Sequence, residues 1–148
     1  MSRLDEDVVH IAAPPERIRF LLHDPDALRR VLPGCESLDA TGADAYRGVL
    51  AVRIQFMTLR AEVSATIDDD GDGPVRLLMS GRPRGLAGTF SIDVPFDLVA
   101  DGDGTRISYQ VDLVVSGRLA AFGKLILRDT TRRQIARLVQ NVDRELEG

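Results

Sequence analysis

Few side chains in this sequence are of the types that bind metals or act as nucleophiles. There are two histidines, His10 and His23, and a single cysteine, Cys35. A zinc site needs about four such ligands close together, and general acid–base catalysis needs titratable groups that converge on one point. Cys35 follows a Pro-Gly pair, so we interpret it as a small buried residue rather than a reactive thiol. We therefore expect no metal and no cofactor.

One acidic segment resembles the first half of a calcium-binding loop. Asp68, Asp70 and Asp72 alternate along the chain and are followed by Gly73. An EF-hand loop requires a glutamate at its last ligand position and a helix on either side. Here that position is Met79, and the flanking segments have the pattern of strands. We predict a hairpin turn.

Composition and charge limit the classes of function. The 148 residues fit one domain, residues 1–148, with 44% hydrophobic and 28% charged residues. The single cysteine fits a reducing compartment, and the acidic N-terminus does not resemble a signal peptide, so a cytoplasmic location is expected. The net charge of −4 argues against nucleic acid as a partner.

The charge is divided unevenly along the chain. Residues 1–117 carry 12 basic and 19 acidic residues, a net charge of −7, whereas residues 118–148 carry 7 and 4, a net charge of +3. A basic C-terminal segment could contact an acidic partner or a membrane surface, or could simply present a solvated helix face.

The periodicity of apolar residues predicts strands followed by a long helix. A period of two residues indicates a strand with one buried face, and a period near 3.6 indicates a helix. Pro14, Pro15 and the Asp24-Pro25 pair mark the starts of two short helices. The predicted strands are residues 3–12, 35–40, 46–56, 59–67, 75–79, 90–98 and 105–116, and the predicted helices are residues 16–22, 26–31 and 118–147.

This order predicts an α+β helix-grip fold. Short turns between successive strands give an antiparallel sheet, and one apolar face per strand means that only one side is covered. A curved seven-stranded sheet wrapped around the long C-terminal helix, with two short helices after the first strand, leaves a concave apolar space between them. Small ligands bind in such spaces.

The alternation also predicts which side chains point away from that space. It places most strand charges on the outer face, and His10 with them: Arg60, Glu62, Asp93, Asp97, Arg106 and Asp112. The inner face of the sheet is left with two phenols, Tyr46 and Tyr109. Tyr109 is the candidate catalytic residue, but a buried tyrosine is more often a packed ring with one satisfied hydroxyl.

Four segments resemble the family of the carbon monoxide dehydrogenase G subunit, within the START-like (SRPBCC) superfamily. They are Ala13-Pro14-Pro15-Glu16-Arg17-Ile18, Asp24-Pro25-Asp26-Ala27-Leu28, Leu32-Pro33-Gly34-Cys35-Glu36-Ser37-Leu38 and Ser116-Gly117-Arg118-Leu119-Ala120-Ala121-Phe122-Gly123. The last two are the more specific to the family. The sequence departs from the family pattern at Arg19, where an aromatic residue is common, and at 54–57, where a glycine is usual.

The resemblance implies an apolar cavity that holds a lipid or another hydrophobic small molecule. It implies an accessory role beside a molybdenum-containing dehydrogenase, in membrane recruitment or in handling a lipophilic electron acceptor such as a quinone. Peripheral membrane contact is part of that expectation. Two alternatives remain open: a polyketide cyclase/dehydratase-like enzyme acting in the same cavity, and an interaction module that uses the basic helix.

The expected ligand-binding residues come from two sources. The family resemblance implies which face of the C-terminal helix points inward, and the alternation along the strands indicates which strand residues do so. On the strands these are Ile54, Phe56, Met79, Phe90, Ile92, Tyr109, Val111 and Leu113. On the C-terminal segment they are Leu119, Phe122, Gly123, Ile126, Thr130 and Gln134. The stripe is polar in its middle, at Thr130, Thr131 and Gln134, so these groups either find partners, face the ligand or water, or rotate toward solvent. Gly123 is expected within the helix, where glycine costs about 1 kcal/mol.

Overall fold

The computed structural model describes residues 2–147 and contains one antiparallel sheet with four helical segments. The strands are β1 (Ser2–Ile11), β2 (Cys35–Gly42), β3 (Ala45–Ile54), β4 (Met57–Asp68), β5 (Val75–Pro83), β6 (Phe90–Asp101) and β7 (Gly104–Val115). The helical segments are α1 (Pro15–Leu22), α2 (Pro25–Val31), a 3₁₀ helix (Gly117–Phe122) and α3 (Lys124–Leu146).

The strands form one sheet in the order β1-β7-β6-β5-β4-β3-β2. Every neighbouring pair is antiparallel, and β1 joins the sheet by pairing with β7, from Ser2 opposite Leu113 to Ile11 opposite Thr105. The sheet curves around α3, and α1 and α2 follow the first strand. The predicted helix-grip fold is confirmed.

Strand β4 illustrates how the sequence determines the faces of the sheet. Its alternate residues are buried, and the residues between them are exposed. The buried set lies on the inner face of the sheet and consists of Leu59, Ala61, Val63, Ala65 and Ile67. The period of two therefore places all of its apolar side chains on one side.

The two short helices begin where their proline signals predict. Asp24 caps α2, since its carboxylate accepts hydrogen bonds from the amides of Asp26 and Ala27, at 3.1 and 3.4 Å. Proline occupies the first turn of each helix, where its missing N–H removes no hydrogen bond. Their buried faces pack into the main core cluster through Ile18, Leu21, Ala27, Leu28 and Val31.

The prediction of one continuous C-terminal helix is wrong. The segment divides at Gly123, whose φ of +86° and ψ of 162° lie outside the helical region. A Cβ at this position would meet nothing within 4 Å, so backbone conformation, and not close packing, accounts for the glycine. The residues before it form the separate 3₁₀ helix.

The predicted third strand is too long. β3 ends at Ile54, and the chain turns through Gln55, which has a φ of +54°. Phe56 therefore lies in the turn and is 96% exposed, so the expectation that it shares the inner face is wrong. Two-residue hairpin turns need positive φ, and the continued alternation of apolar and polar residues through Ile54, Gln55 and Phe56 concealed that turn.

Helix α3 is fastened mainly along its second half. Asn141 Nδ2 donates to the carbonyl of Val31 at 2.9 Å, and the amide of Ala12 donates to Asp143 at 2.8 Å. Arg30 forms two hydrogen bonds with Glu145, at 2.9 and 2.6 Å. Among residues 2–147, no helix is both long and apolar enough to cross a membrane.

Candidate ligand-binding site

An apolar cavity of about 170 Å³ lies between the sheet, α1, α2 and the second half of α3. All seven strands contribute inward residues, and the helices close the space from the other side. The lining consists of Val9, Ile11, Ile18, Leu21, Leu22, Leu28, Val31, Leu32, Leu38, Tyr46, Leu50, Val63, Ala65, Ile67, Leu77, Met79, Val94, Phe96, Ile107, Tyr109, Ile135, Leu138, Val139 and Val142.

The wall of this cavity is wholly apolar. Of the described residues that line it, none is charged, and no polar atom faces the space. A buried polar group without a hydrogen bond costs about 1–3 kcal/mol, so such a wall rejects polar atoms and water. The space can accept hydrocarbon, because removing apolar surface from water is favourable.

The two phenols predicted on the inner face both line the cavity, with their rings and not their hydroxyls. Burial raises the pKa of Tyr46, and the carboxylates of Asp44 and Asp24 raise it further. Burial also raises the pKa of Tyr109 to about 12, with a smaller effect from Asp7 and Asp5. Both residues are therefore neutral at physiological pH.

A charged cluster outside the cavity holds helix α1 in place. His23, at the end of α1, lies between two carboxylates: Nδ1 is 2.5 Å from Asp44 and Nε2 is 2.9 Å from Asp69. Arg19 of α1 also pairs with Asp69 and donates to the carbonyl of Gly73 at 2.8 Å. The cluster fixes α1, and with it the cavity residues of that helix, to the turns of the sheet.

This cluster also explains the aspartate-rich segment. Asp69, between the alternating aspartates, is the one turned inward, with a side chain only 1% exposed. Burial raises the pKa of Asp69, but hydrogen bonds from His23 and the Gly71 amide and the charge of Arg19 outweigh it, so the net direction is downward. The segment links β4 to β5 as a hairpin loop.

Of the fourteen predicted ligand residues, Met79 and Tyr109 line the cavity. Most of the others lie toward the opposite end of α3, where they pack against each other in two apolar clusters. The first contains Val111 with Ile92, Leu113 and Phe122. The second contains Ile54 and Leu119 with Phe90, Phe122 and Ile126. Their part in ligand binding stays a prediction.

The three polar residues in the middle of the expected inward face of α3 have different surroundings. The Thr131 hydroxyl donates to the carbonyl of Leu127 at 2.8 Å. Gln134 is half-buried and accepts a hydrogen bond from Arg137 at 3.5 Å. Thr130 is only 7% exposed, and its hydroxyl has no hydrogen-bond partner among the described residues. None of the three lines the cavity, so they are not grouped at one ligand contact.

The sequence reasoning missed the contribution of α1, α2 and the last turns of α3. Six lining residues come from the two short helices or from the residue directly after them, for example Leu22 and Leu32. The apolar spacing of α1 and α2 was visible in the sequence. Nothing in the sequence showed which end of α3 these two helices would cover. Contacts of α2 with Asn141 and Glu145 determine that position.

Solved structures show which fold this architecture has. A conserved protein from Geobacillus kaustophilus matches with a TM-score of 0.83 at 22% identity, covering 93% of this chain and 91% of that one. A START superfamily protein from Mycobacterium smegmatis matches with a TM-score of 0.67 at 15% identity, over 97% and 96%. The Zhui aromatase/cyclase from a Streptomyces species gives 0.68 at 14%, over 95% and 91%. The fold is that of the START-like helix-grip proteins.

The family is shown by the sequence. The family model of the carbon monoxide dehydrogenase G subunit (CoxG) matches residues 8–147, nearly the whole chain. The chain belongs to this family, as the resemblance in the sequence indicated. Among curated proteins, none matches the sequence.

Proposed function

We propose that this protein is a carrier that binds the hydrocarbon part of a neutral lipophilic molecule in its apolar cavity. The observation that carries the proposal is the wall of 24 side chains that present no polar atom to the space. Burial of apolar ligand surface against such a wall contributes about 25 cal/mol per Å². Polar atoms of the ligand find no hydrogen-bond partner inside the cavity, so they are favoured at its rim.

The size of the cavity indicates how much of the ligand enters. Cavities of about 150 Å³ accept one small aromatic ring, whereas sites for drug-sized ligands measure about 300–1,000 Å³. A volume of about 170 Å³ thus fits one ring or a short branched chain. For a prenylated quinone, the class that family membership favours, part of the prenyl chain is the portion that fits an apolar wall.

Membership of the CoxG family supports a role beside a molybdenum-containing dehydrogenase. In that role the protein would supply or receive a lipophilic electron acceptor. The chemistry of the cavity fits carriage better than catalysis, because none of the described lining residues can act as a base or an ionised acid at neutral pH.

The enzymatic alternative is a cyclase or dehydratase that shapes a hydrophobic substrate. The aromatase/cyclase likeness in fold and the phenol of Tyr109 favour it. With a pKa of about 12, Tyr109 could donate a hydrogen bond but could not act as a base at neutral pH. Turnover of a poly-β-keto substrate that falls in the Tyr109→Phe variant would support this alternative over the carrier.

We also propose that one end of the molecule contacts an anionic lipid surface. The turn β3–β4, the loop β5–β6 and the segment after β7 meet at this end, and residues 45–61, 75–92 and 113–128 contain no acidic residue. The exposed residues that define this basic end are Phe56, Met57, Leu125, Arg53, Arg118 and Lys124. Apolar side chains surrounded by cations are typical of peripheral membrane contacts.

The ligand proposal is tested on protein purified without detergent. Native mass spectrometry, followed by extraction into organic solvent, would detect a copurified lipophilic molecule in a one-to-one complex. A protein that carries no such molecule and takes up no apolar probe would contradict the proposal.

A further inference from the structure

We propose that the interface between β1 and α3 binds the polar end of the ligand, and that it accepts an uncharged oxygen, such as that of a ketone or an alcohol, and disfavours a carboxylate. This rim subsite consists of Tyr109, Asp5, Asp7 and Arg132. The inference rests on the proposed ligand binding. It adds the chemical class of the ligand's polar group and the place where that group lies.

The inner face of β1 changes from apolar to acidic at the edge of the cavity. Val9 and Ile11 line the cavity. Alternation along the strand places Asp7 and Asp5 on the same face of the sheet as these two residues. Asp7 lies directly opposite Tyr109 in the neighbouring strand β7. The apolar wall therefore ends between Val9 and Asp7.

Helix α3 changes in the same way on the facing side. Ile135 lines the cavity and packs in one cluster with Tyr109. Arg132 lies one turn earlier, on a neighbouring part of the helix surface. It donates two hydrogen bonds of 2.9 Å, from Nε and Nη2, to the carboxylate of Asp5. Charged groups on both the strand and the helix thus begin where the apolar lining stops.

Tyr109 reaches from the cavity to these charged groups. Its ring lines the cavity. Burial raises the pKa of its hydroxyl, the charges of Asp7 and Asp5 raise it further, and the charge of Arg132 lowers it, so all three groups lie near the hydroxyl. Within residues 2–147, no hydrogen bond joins this hydroxyl to another side chain. The hydroxyl is therefore a donor that a ligand oxygen can use.

The charges around the Tyr109 hydroxyl favour an uncharged partner. The carboxylates of Asp7 and Asp5 outweigh the guanidinium of Arg132 there, and Arg132 is already bonded to Asp5. A second cation, Arg128, acts on Asp5. A ligand carboxylate beside the hydroxyl would meet like charge, which is unfavourable, whereas a ketone or alcohol oxygen would accept the hydrogen bond without repulsion.

A matched set of probes tests the rim subsite. Butylbenzene, 4-phenylbutan-2-one and 4-phenylbutanoate share a phenylalkyl part and differ in their polar group. Their affinities are measured by competition with N-phenyl-1-naphthylamine. We expect Tyr109→Phe to lower the ratio of ketone to hydrocarbon affinity by about three- to tenfold, because it removes one hydrogen bond and keeps the ring. Both affinities come from the same variant, so a change in folded fraction cancels in the ratio.

The other phenol of the cavity provides the control for this substitution. Burial raises the pKa of Tyr46, and Asp44 and Asp24 raise it further, so its hydroxyl lies near a different set of charges. Tyr46→Phe should therefore leave the ratio of ketone to hydrocarbon affinity unchanged.

The preference for an uncharged group is tested at Asp7. Asp7→Asn removes a like charge, so at low salt it should raise the ratio of carboxylate to ketone affinity by about threefold or more. Glu6→Gln is the matched control, because Glu6 lies on the outer face of the same strand with a side chain that is 69% exposed. This variant should leave the ratio unchanged.

The outcomes separate the rim subsite from the ligand proposal. A ketone-to-hydrocarbon ratio that stays constant in Tyr109→Phe, or that falls only in Tyr46→Phe, would overturn the subsite while leaving ligand binding intact. Equal carboxylate-to-ketone ratios in Asp7→Asn and Glu6→Gln would overturn its preference for an uncharged group. Failure of the native protein to bind butylbenzene and N-phenyl-1-naphthylamine would overturn the ligand proposal, and the subsite with it.

Discussion

Arg132 of α3 donates two hydrogen bonds of 2.9 Å to the carboxylate of Asp5 in β1. Asp5 is only 6% exposed, and hydrogen bonding from Arg132 holds the pKa of this carboxyl below its usual value although burial acts in the opposite direction. The pair joins the middle of the helix to the edge strand beside Tyr109. It therefore holds this part of α3 against β1.

We predict that Arg132→Ala lowers the midpoint of urea unfolding, because it leaves the Asp5 carboxylate buried without its partner. The matched control is Arg133→Ala, which loses only a pair with the exposed Asp129 at 3.5 Å and should change the midpoint little. Since the pKa of Asp5 is lowered, the stabilisation is present above about pH 3.8 and is lost as the pH falls below that value. Equal midpoints for the two variants would contradict this account.

The His23 cluster predicts a loss of stability at higher pH. Hydrogen bonds from His23 to Asp44 and then Asp69 raise the pKa of the imidazole above its ordinary 6.5. The folded state therefore binds the imidazole proton more tightly than the unfolded state does. The resulting stabilisation is fully present below pH 6.5 and is lost as the pH rises through the higher pKa of the folded state. The urea midpoint should decline over that interval in the native protein and less in His23→Gln.

His10 provides the control for the His23 prediction. It lies 3.7 Å from Asp101 at the surface, and its side chain is 64% exposed. His10→Gln should leave the alkaline decline unchanged. A decline that persists in His23→Gln and vanishes in His10→Gln would show that the cluster around α1 is not its source.

Gly117 should tolerate alanine poorly for two reasons. Its φ is +67°, and an added Cβ would lie 2.7 Å from the carbonyl oxygen of Ala87. The left-handed conformation alone costs about 1–2 kcal/mol, and the contact adds to it, so Gly117→Ala should lose at least about 2 kcal/mol of unfolding free energy. Gly71 also has a positive φ, of +91°, but open space around it, so Gly71→Ala should lose about 1 kcal/mol. Equal losses of unfolding free energy in the two variants would contradict a contribution from the close contact with Ala87.

Lipid contact at the basic end predicts that Phe56→Ser weakens sedimentation with vesicles of phosphatidylglycerol and phosphatidylcholine. Phe56 is 96% exposed among cations, whereas Phe20 is 76% exposed on α1, in a surface pocket that it shares with Glu16 and Glu145. Phe20→Ser should therefore sediment like the native protein. Vesicles of phosphatidylcholine alone, or raised salt, should weaken binding, because screening removes the attraction to anionic lipid. If the two serine variants sediment equally, the basic end is not the contact.

The sequence was sufficient to predict the fold because the apolar alternation is regular. In β4 each buried residue is followed by an exposed one, and the Asp24-Pro25 signal marks the start of α2. The breaks within apolar runs were harder to see. The apolar periodicity continues through both positions, but the helix is interrupted at Gly123 and the strand ends before Gln55. Both backbones adopt positive φ there.

The site was harder to predict because its position depends on contacts distant in the chain. Periodicity placed Met79 and Tyr109 on the inner face correctly. It could not show that Leu119 and Phe122 fill one end of the enclosed space while Leu138 and Val142 leave the other end open. That difference arises from where α2 meets α3, through Val31 and Asn141.

The central claim is that the apolar cavity binds a lipophilic molecule, and a fluorescence titration with N-phenyl-1-naphthylamine tests it most directly. Ala65 lines the cavity between Tyr46 and Met79, so Ala65→Leu should fill the space with little loss of stability. Ala61 lies on the same strand but does not itself line the cavity, so Ala61→Leu should cost about 1–3 kcal/mol by overpacking and still bind. We predict saturable one-to-one binding by the native protein that weakens at least about tenfold in Ala65→Leu. No saturable binding by the native protein, or equal affinity in Ala65→Leu, would contradict the account.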